Sequence, residues 1–365
     1  MECCVKPLFN KYTKEELDRI SVEKPDEEYR KKVSMHWDSI AKPLDGMGKF
    51  EKLTAQIGAV SHTEEIDISK KAVIIMCADN GIVEEGISQS GQEVTLAVVR
   101  AMAQKQSSVC KMAQLIGADT IPVDIGINTD KKIENVTDCK IRQGTRNFRK
   151  EPAMTQEEAV RAVAVGISTV YECKKKGYHL LATGEMGIGN TTTSSAVAAA
   201  LLHCGAEEVT GRGAGLSDEG LSRKRQIIEE AIKKYDLYHA DAITVLETVG
   251  GLDIAGLAGV CIGGALYHVP IVLDGVISMV AALVAERICP GVREYLLASH
   301  KGKEPAVIRL AKELDIEPVI DAGMALGEGT GAVMMFSLLD MALSIYQGRT
   351  TFADIRIEQY RRTQA

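Results

Sequence analysis

The sequence is poor in aromatic residues and proline, and its cysteines form no motif. Aromatic residues make up 4% of the 365 residues, and 9 prolines stand against 33 glycines. This balance excludes a collagen-like or linker-rich chain and indicates tight turns with close backbone approach. The nine cysteines are scattered, without a CxxC pair or a zinc-site spacing, so we expect reduced thiols.

Long apolar runs and an excess of positive charge are also missing. No stretch approaches about 18 consecutive apolar residues, and the first residues lack the apolar segment of a secretory signal. The formal net charge of −7 argues against a general nucleic-acid binder, although a local anion site remains compatible with it. We therefore expect a cytoplasmic protein that binds neither membrane nor nucleic acid.

The composition that is present is typical of a folded globular protein, and the length predicts two domains or one large α/β domain with an appendage. Short apolar runs alternate with helical segments. The predicted strands cover residues 71–78, 119–127, 178–184, 268–275 and 317–325, and the main helices cover residues 94–104, 155–176, 218–235 and 331–348. This alternation predicts a mostly parallel sheet with helices on both faces.

Glycine-rich segments follow several of the predicted strands, at the sheet edge where α/β proteins bind ligands. They cover residues 78–95, 183–202, 211–224, 249–275 and 321–335. Each also has an ordinary interpretation as a turn or, for residues 249–275, as close helix packing. None has the G-x-G-x-x-G, Walker or G-x-S-x-G spacing. The seven histidines lack metal-site spacing, and we interpret them as structural or surface residues.

Three of these segments carry candidate site residues. Asn190 and Thr191 follow a glycine loop at the start of a helix, where backbone N–H groups favour an anion. Lys224 lies early in the next helix and could reach a phosphate as a point charge. Glu185 could accept hydrogen bonds from sugar hydroxyls. Glu328 lies between two glycines with apolar neighbours, a setting that raises a carboxyl pKa and suits a general base.

Taken together, these segments closely resemble the nicotinate-nucleotide–dimethylbenzimidazole phosphoribosyltransferases of cobamide lower-ligand activation. The matching stretches include GEMGIGNTTTSSA, GRGAGLSDEGLSRK, VGGLDIAG and LGEGTGA, and they extend over about residues 36–340. The resemblance implies a Rossmann-like α/β domain over residues 60–335 and a smaller helical domain formed by residues 1–59 with 336–365. It also implies a homodimer that uses no metal and no other cofactor.

The resemblance further implies a reaction in which 5,6-dimethylbenzimidazole displaces nicotinate from C1′ of nicotinate mononucleotide. The products are nicotinate and α-ribazole 5′-phosphate, a precursor of the cobalamin nucleotide loop. Glu328 matches the catalytic carboxylate. The residues expected at the phosphate and ribose are Glu185, Gly187, Gly189, Asn190, Thr191 and Lys224, and those expected at the base are Ser88, Gln92, Met186, Ile188 and Leu326.

The sequence departs from the common family pattern near the expected base pocket or its lid. Asn80 stands where a histidine is frequent, residues 90–91 replace a frequent Tyr-Pro, and residues 306–307 replace a frequent Gly-His. The accepted base therefore stays open, and it could be phenolic. One alternative is a non-catalytic or phenol-specific partner subunit of a two-subunit relative. A dinucleotide-dependent oxidoreductase is weaker, because no nucleotide fingerprint follows the first strand.

Overall fold

The computed structural model describes residues 12–213, 215–348 and 350–362. Within these ranges six strands form one sheet in the order β3-β2-β1-β4-β5-β6, and every neighbouring pair is parallel. The strands are β1 (Lys71–Ala78), β2 (Asp119–Gly126), β3 (Thr137–Asp138), β4 (Leu180–Met186), β5 (Ile271–Leu273) and β6 (Leu296–Ala298). The predicted α/β fold with a parallel sheet is confirmed.

Fourteen α-helices lie in the described ranges. They are α1 (Lys14–Leu17), α2 (Glu27–Ser39), α3 (Lys49–Ser61), α4 (Glu93–Ala103), α5 (Ser108–Leu115), α6 (Gln156–Lys175), α7 (Asn190–Leu201), α8 (Ala206–Val209), α9 (Asp218–Lys234), α10 (Ala242–Val249), α11 (Leu252–Leu266), α12 (Val276–Ile288), α13 (Ala306–Leu314) and α14 (Thr330–Gly348). None of the helices in this part of the chain is long and apolar enough to cross a membrane.

Helices cover both faces of the sheet, as the uninterrupted apolar character of β1 predicts. Successive side chains of a strand point to opposite faces, so a strand without polar residues needs cover on both sides. On one face Ile74 and Met76 pack with residues of α6, α7 and α10 to α12. On the other face Val73 and Ile75 pack with residues of α2 to α5 and α14.

Local capping signals fix where the long helices begin. Thr155 and Glu158 form a capping box at the start of α6, in which each side chain accepts a hydrogen bond from the other residue's backbone N–H. Ser217 accepts a hydrogen bond from the N–H of Gly220 and starts α9. The start of α9 therefore lies where the Ser-Asp pair in the sequence predicts it.

Helices α6 and α11 touch along their backbones through glycine. A Cβ atom added to Gly166 would lie 2.0 Å from the carbonyl oxygen of Gly256, and one added to Gly259 would lie 1.9 Å from that of Val163. No side chain fits in these contacts. The packing interpretation of residues 249–275 is therefore confirmed for the α11 part of that segment.

The strand order places a topological switch point between β1 and β4. From β1 the chain adds β2 and β3 on one side, and from β4 it adds β5 and β6 on the other. Open α/β sheets bind ligands at such a point, beyond the carboxyl ends of the strands. The loops that follow β1 and β4 carry the first two glycine-rich segments.

The predicted strand over residues 317–325 is wrong. Only Ile320 pairs with the sheet, through a single parallel bridge to His300. Pro318 has no N–H for a ladder, and Gly323 adopts a positive φ of 61° that turns the chain away. The sixth strand is β6 instead, whose three residues form too short a pattern to be recognised, as do the two residues of β3.

The C-terminal end of the described chain packs against the segment that follows α2. Ile40 forms an antiparallel bridge with Thr351, and the Arg362 guanidinium donates hydrogen bonds to the carboxylates of Asp38 and Asp45. The predicted small helical domain stays a prediction, and residues 1–11, 349 and 363–365 of it lie outside the described residues.

Candidate active site

A cavity of about 300 Å³ opens at the carboxyl edge of the sheet, beside the switch point. Its walls come from the ends of β4, β5 and β6, the start of α7 and the loop before α14. Among its lining residues are most of those expected at the site, namely Glu185, Met186, Gly187, Ile188, Asn190, Thr191, Leu326 and Glu328. The structure therefore brings together residues that lie far apart in the sequence.

The loop between β4 and α7 places the start of α7 at this cavity. Gly189 adopts a φ of 96° and precedes the first helical residue, and no side chain caps the helix. A Cβ atom on Gly187 would lie 2.3 Å from the carbonyl oxygen of Ala78, so the loop packs directly on the end of β1. The positive end of α7 faces the cavity at Asn190 and Thr191, an arrangement that favours an anion.

Glu185 is a buried carboxyl group at the end of β4. Its Oε2 atom accepts a hydrogen bond from the side-chain amide of Asn190 at 2.5 Å. Burial raises the pKa of Glu185 to about 8, the bond from Asn190 opposes that rise, and the nearby carboxyl groups of Asp253, Asp274 and Glu328 add to it. Glu185 is therefore mostly protonated at neutral pH in this structure.

Lys224 lies behind the start of α7 and is fully buried. Its ammonium group donates hydrogen bonds to the Thr191 hydroxyl at 2.9 Å and to the carbonyl oxygen of Gly211 at 3.4 Å. Burial lowers the pKa of Lys224 to about 8, and the charge of Glu304 opposes that change. Lys224 does not line the cavity, but it donates a hydrogen bond to the hydroxyl of Thr191, which does.

The turn before α14 holds Glu328 in an unusual backbone conformation. Gly327, Glu328 and Gly329 all have positive φ values, of 83°, 61° and 95°. A Cβ atom on Gly184 would lie 2.5 Å from the carbonyl oxygen of Glu328, so the turn packs on the backbone of β4. The left-handed region is disfavoured for residues with a Cβ atom, so this turn is held by its surroundings.

The Glu328 carboxylate reaches the start of α5. Its Oε2 atom accepts a hydrogen bond from the backbone N–H of Val109 at 3.3 Å. Burial raises the pKa of Glu328, the Val109 N–H and the Ser107 hydroxyl oppose that rise, and the charge of Asp274 adds to it. A half-buried carboxylate with a raised pKa can accept a proton near neutral pH.

Four of the expected residues do not line the cavity. Gly189 shapes its loop, and Lys224 lies one contact behind. In the loop after β1, the Ser88 hydroxyl accepts a hydrogen bond from the N–H of Ser90, and the side-chain oxygen of Gln92 accepts one from Asn128 at 2.8 Å. The expected roles of Ser88 and Gln92 at the base stay predictions.

Two buried ionisable residues that line the cavity were missed in the sequence analysis. Asp274 follows β5 and His300 follows β6, and both are buried. His300 therefore contributes to the cavity, unlike the structural or surface role expected for all histidines. Asp274 had a usable signal, because an Asp-Gly pair ends the predicted strand over residues 268–275. His300 follows a strand too short to be seen in the sequence.

Other positions that drew attention in the sequence lie elsewhere. Asn80, Ala306 and Val307, where the chain departs from the family pattern, are buried but are not among the cavity's lining residues. In the described part of the chain no group of three or more His, Cys, Asp and Glu side chains is arranged to hold a metal ion.

Comparison with known proteins identifies the family of this chain. A family model described as "Phosphoribosyltransferase" matches residues 22–357, so the chain is a phosphoribosyltransferase. It is 46% identical to the nicotinate-nucleotide–dimethylbenzimidazole phosphoribosyltransferase of Acetivibrio thermocellus, over 90% of this chain and 93% of that protein. The protein of the same name from Clostridium acetobutylicum is 44% identical over 92% of this chain and 96% of its own length.

The fold is likewise shared with a solved structure. The crystal structure of CobT from Thermus thermophilus matches 91% of this chain and all of its own with a TM-score of 0.86, at 33% sequence identity. The chain belongs to the family of nicotinate-nucleotide–dimethylbenzimidazole phosphoribosyltransferases. The resemblance seen in the sequence is confirmed.

The raised pKa of Glu185 predicts a pH-dependent cost to stability. Its folded-state pKa of about 8 lies above the ordinary 4.5, so the folded protein binds more protons between these values and loses stability as pH rises. The loss is at most about 1.4 kcal/mol per pH unit. We expect Glu185→Gln to match the wild type in urea unfolding at pH 5 and to be the more stable protein at pH 8.

The matched control is Glu157→Gln, which changes an exposed carboxyl in the first turn of α6. Its difference in unfolding free energy from the wild type should be similar at the two pH values. A Glu185→Gln difference that is equally constant would contradict the assignment of Glu185 as a buried, mostly protonated group.

Proposed function

We propose that this enzyme transfers the 5-phosphoribosyl group of nicotinate mononucleotide to 5,6-dimethylbenzimidazole or a related aromatic base. The products are nicotinate and α-ribazole 5′-phosphate, which serves cobalamin nucleotide-loop assembly. One observation carries the proposal: a single cavity joins an anion site at the start of α7 to the carboxyl groups of Glu185 and Glu328. The names of the relatives from Acetivibrio thermocellus and Clostridium acetobutylicum support the same substrates.

The 5′-phosphate is expected at the start of α7. There it meets the positive end of the helix at Asn190 and Thr191, which no side chain caps, with the positive charge of Lys224 behind the Thr191 hydroxyl. Gly187 and Gly189 let the loop approach the ligand without side chains in the way. A phosphate dianion beside Lys224 favours the protonated amine, so binding itself restores the charge that burial disfavours.

The ribose lies next to Glu185 in this arrangement. As the bond from C1′ to the nicotinate nitrogen breaks, its electron pair leaves with the pyridine ring and positive charge develops on the sugar. Carboxyl groups fixed beside that charge stabilise the transition state because they need no reorganisation. Glu185 also bonds to a ribose hydroxyl: the ionised carboxylate accepts a hydrogen bond from it, and the protonated carboxyl group donates one to it.

The incoming base is expected against the apolar wall formed by Met186, Ile188 and Leu326, with Ser88 and Gln92 at its border. One ring nitrogen attacks C1′, and the proton of the other ring nitrogen passes to the Glu328 carboxylate. Much of the acceleration comes from holding both substrates in line. No step in this scheme requires a redox change.

Substitution of Glu328 tests both the proposed reaction and the role of Glu328 as its general base. Wild-type protein incubated with nicotinate mononucleotide and dimethylbenzimidazole should release nicotinate and form a product with the mass of α-ribazole 5′-phosphate. Glu328→Gln keeps the shape but cannot take the proton, so turnover should fall about 10²–10⁴-fold. Product mass and initial rate are the measurements.

The control is Glu317→Gln, an exposed glutamate whose carboxylate pairs with Lys49 and which is outside the lining of the cavity. It should keep normal turnover. A panel of benzimidazole, adenine and phenol as acceptors identifies the accepted base. Absence of turnover with every acceptor would contradict the function and favour a non-catalytic subunit, and normal turnover of Glu328→Gln would make Glu185 the next candidate.

Substitution of Lys224 should weaken the affinity for nicotinate mononucleotide and change the affinity for the aromatic base much less. Lys224→Met keeps the buried stem and removes a charge-assisted contact of roughly 1.5–3 kcal/mol, or about tenfold or more in affinity. The KM for nicotinate mononucleotide should rise accordingly, while the KM for the base changes much less. In the wild type the nucleotide KM should also rise above about pH 8 as Lys224 loses its proton, and the variant should lack this rise.

Equal effects on both substrates, or a pH dependence that persists in Lys224→Met, would argue against the phosphate role.

We also propose that the enzyme is a homodimer that pairs through α14. Met334, Met341 and Ile345 form an exposed apolar stripe on this helix, with exposed fractions of 38%, 63% and 40%. Exposed Leu115 lies on α5, which packs beside α14. Contiguous apolar surface of this kind is typical of an interface. Light scattering after gel filtration should give twice the chain mass for the wild type and a monomer for Met341→Glu.

Ile308→Glu, at an exposed position of α13, is the control and should leave the mass unchanged. A monomeric wild type would contradict the proposal. We also propose a small helical domain of residues 1–59 with 336–365, supported by the contacts of residues 38–45 with residues 351–362, and a cytoplasmic location. None of the seven cysteines in the described residues forms a disulfide bond, which suits a reducing compartment.

A further inference from the structure

The carboxylate of Asp274, which lines the cavity, accepts three backbone hydrogen bonds. The proposed reaction assigns no role to this residue. It follows β5, and 3% of it is exposed. Its Oδ2 atom accepts a hydrogen bond from the N–H of Gly329 at 3.1 Å. Its Oδ1 atom accepts from the N–H groups of Gly331 at 2.8 Å and Ala332 at 3.2 Å. All three donors lie within four residues of Glu328.

These hydrogen bonds hold the turn before α14, whose backbone conformation is disfavoured. Residues 327–329 are left-handed one after another, and Glu328 is the only one of them with a Cβ atom. From one side the backbone of Gly184 contacts the Glu328 carbonyl group. From the other side Asp274 holds the next residue and the first turn of α14. The peptide that follows Glu328 is therefore held at its carbonyl group by the contact with Gly184 and at its N–H by the hydrogen bond to Asp274.

We propose that Asp274 is a positioning residue, whose carboxylate holds the turn of residues 327–332 so that the Glu328 side chain projects into the cavity. This inference rests on the proposed role of Glu328 as the base. Asp274 acts through the backbone and needs no contact with the reacting atoms. A fixed turn matters because small displacements of a catalytic group cost large factors in rate.

The positioning role of Asp274 can be tested through pH dependence, because its charge acts on the pKa of Glu328. Glu328 is faced by Glu185 from β4, by Asp274 from β5 and by the Ser107 hydroxyl and Val109 N–H from the start of α5. His300, from β6, lies 3.9 Å from Asp274 and 2.9 Å from the Ser299 hydroxyl. The charge of Asp274 raises the pKa of Glu328, so loss of that charge lowers it.

Asp274→Asn is the informative variant. Its side-chain oxygen can still accept the bonds from Gly331 and Ala332, which cap α14. Its amide group, however, would face the Gly329 N–H, and two donors cannot bond. We expect kcat to fall about 10–100-fold, with the KM for nicotinate mononucleotide nearly unchanged. The acid limb of the kcat/KM profile should move to lower pH, because the negative charge beside Glu328 is gone.

Asp124→Asn is the matched control. Asp124 is a buried aspartate at the end of β2 whose carboxylate accepts a hydrogen bond from the N–H of Ile127 at 2.9 Å. It undergoes the same substitution at the same edge of the sheet, away from the Glu328 turn. Its kcat and acid limb should stay those of the wild type. An Asp274→Asn enzyme that behaves like this control would overturn the inference.

A second variant covers the case in which Asp274→Asn does not fold. Asp274→Glu keeps the charge and both oxygens but shifts them by one methylene group. It should lose kcat while the acid limb stays in place. Normal kcat in this folded variant would likewise overturn the inference.

Amide hydrogen exchange separates this inference from the proposed function. Exchange in the segment 325–332 should accelerate in Asp274→Asn and stay unchanged in Asp124→Asn, whichever reaction the enzyme performs. If Glu328→Gln keeps full turnover, the base assignment fails, and the exchange result alone decides whether Asp274 holds the turn. Unchanged exchange in Asp274→Asn would overturn the inference.

Discussion

The site depends on a close backbone contact between the end of β4 and the turn before α14. Gly184 has no room for a Cβ atom because the Glu328 carbonyl group lies against it, and a Cβ atom on Gly327 would lie 2.6 Å from a carboxyl oxygen of Glu185. Glu185 and Glu328 are 143 positions apart in the chain, yet this contact makes them neighbours. The cavity and the buried carboxyl groups with raised pKa values lie around it, as does the proposed anion site at the start of α7.

Several buried ionisable groups surround this contact, and their protonation is coupled to whatever the cavity holds. Burial raises the pKa of Glu185 to about 8 and that of Asp253 to about 6, and it lowers that of Lys224 to about 8. In the proposed function, the phosphate favours the protonated amine of Lys224, and the positive charge that develops on the ribose favours the ionised carboxyl of Glu185. The proposed function therefore predicts proton exchange with the solvent when the nucleotide binds near neutral pH.

The sequence predicted the parts of the fold that have strong local signals. The strand β1, with seven consecutive apolar residues after Lys71, and the capped helix α6 could be placed closely from local pattern and capping residues alone. Glu185, Thr191 and Glu328 were recognisable because glycines and strand ends mark them. The three-residue strand β6 has no such pattern, so both the strand and His300 behind it were missed. Asp274 could be seen as a strand-end residue, but its bonds to a turn more than 50 residues later could not.

The close contact between α6 and α11 at Gly166 and Gly259 makes the position of α11 relevant to the cavity. Asp253, in the first turn of α11, is buried, and its carboxyl lies where a Cβ atom on Gly187 would come within 2.6 Å. Because α6 and α11 touch backbone to backbone, a larger residue at their contact cannot be absorbed by a rotamer change and must move a whole helix. That movement would reach the glycine loop through Asp253. Substitutions remote from the ligand can therefore act as binding defects, and heat-sensitive activity is the phenotype that this architecture would give them.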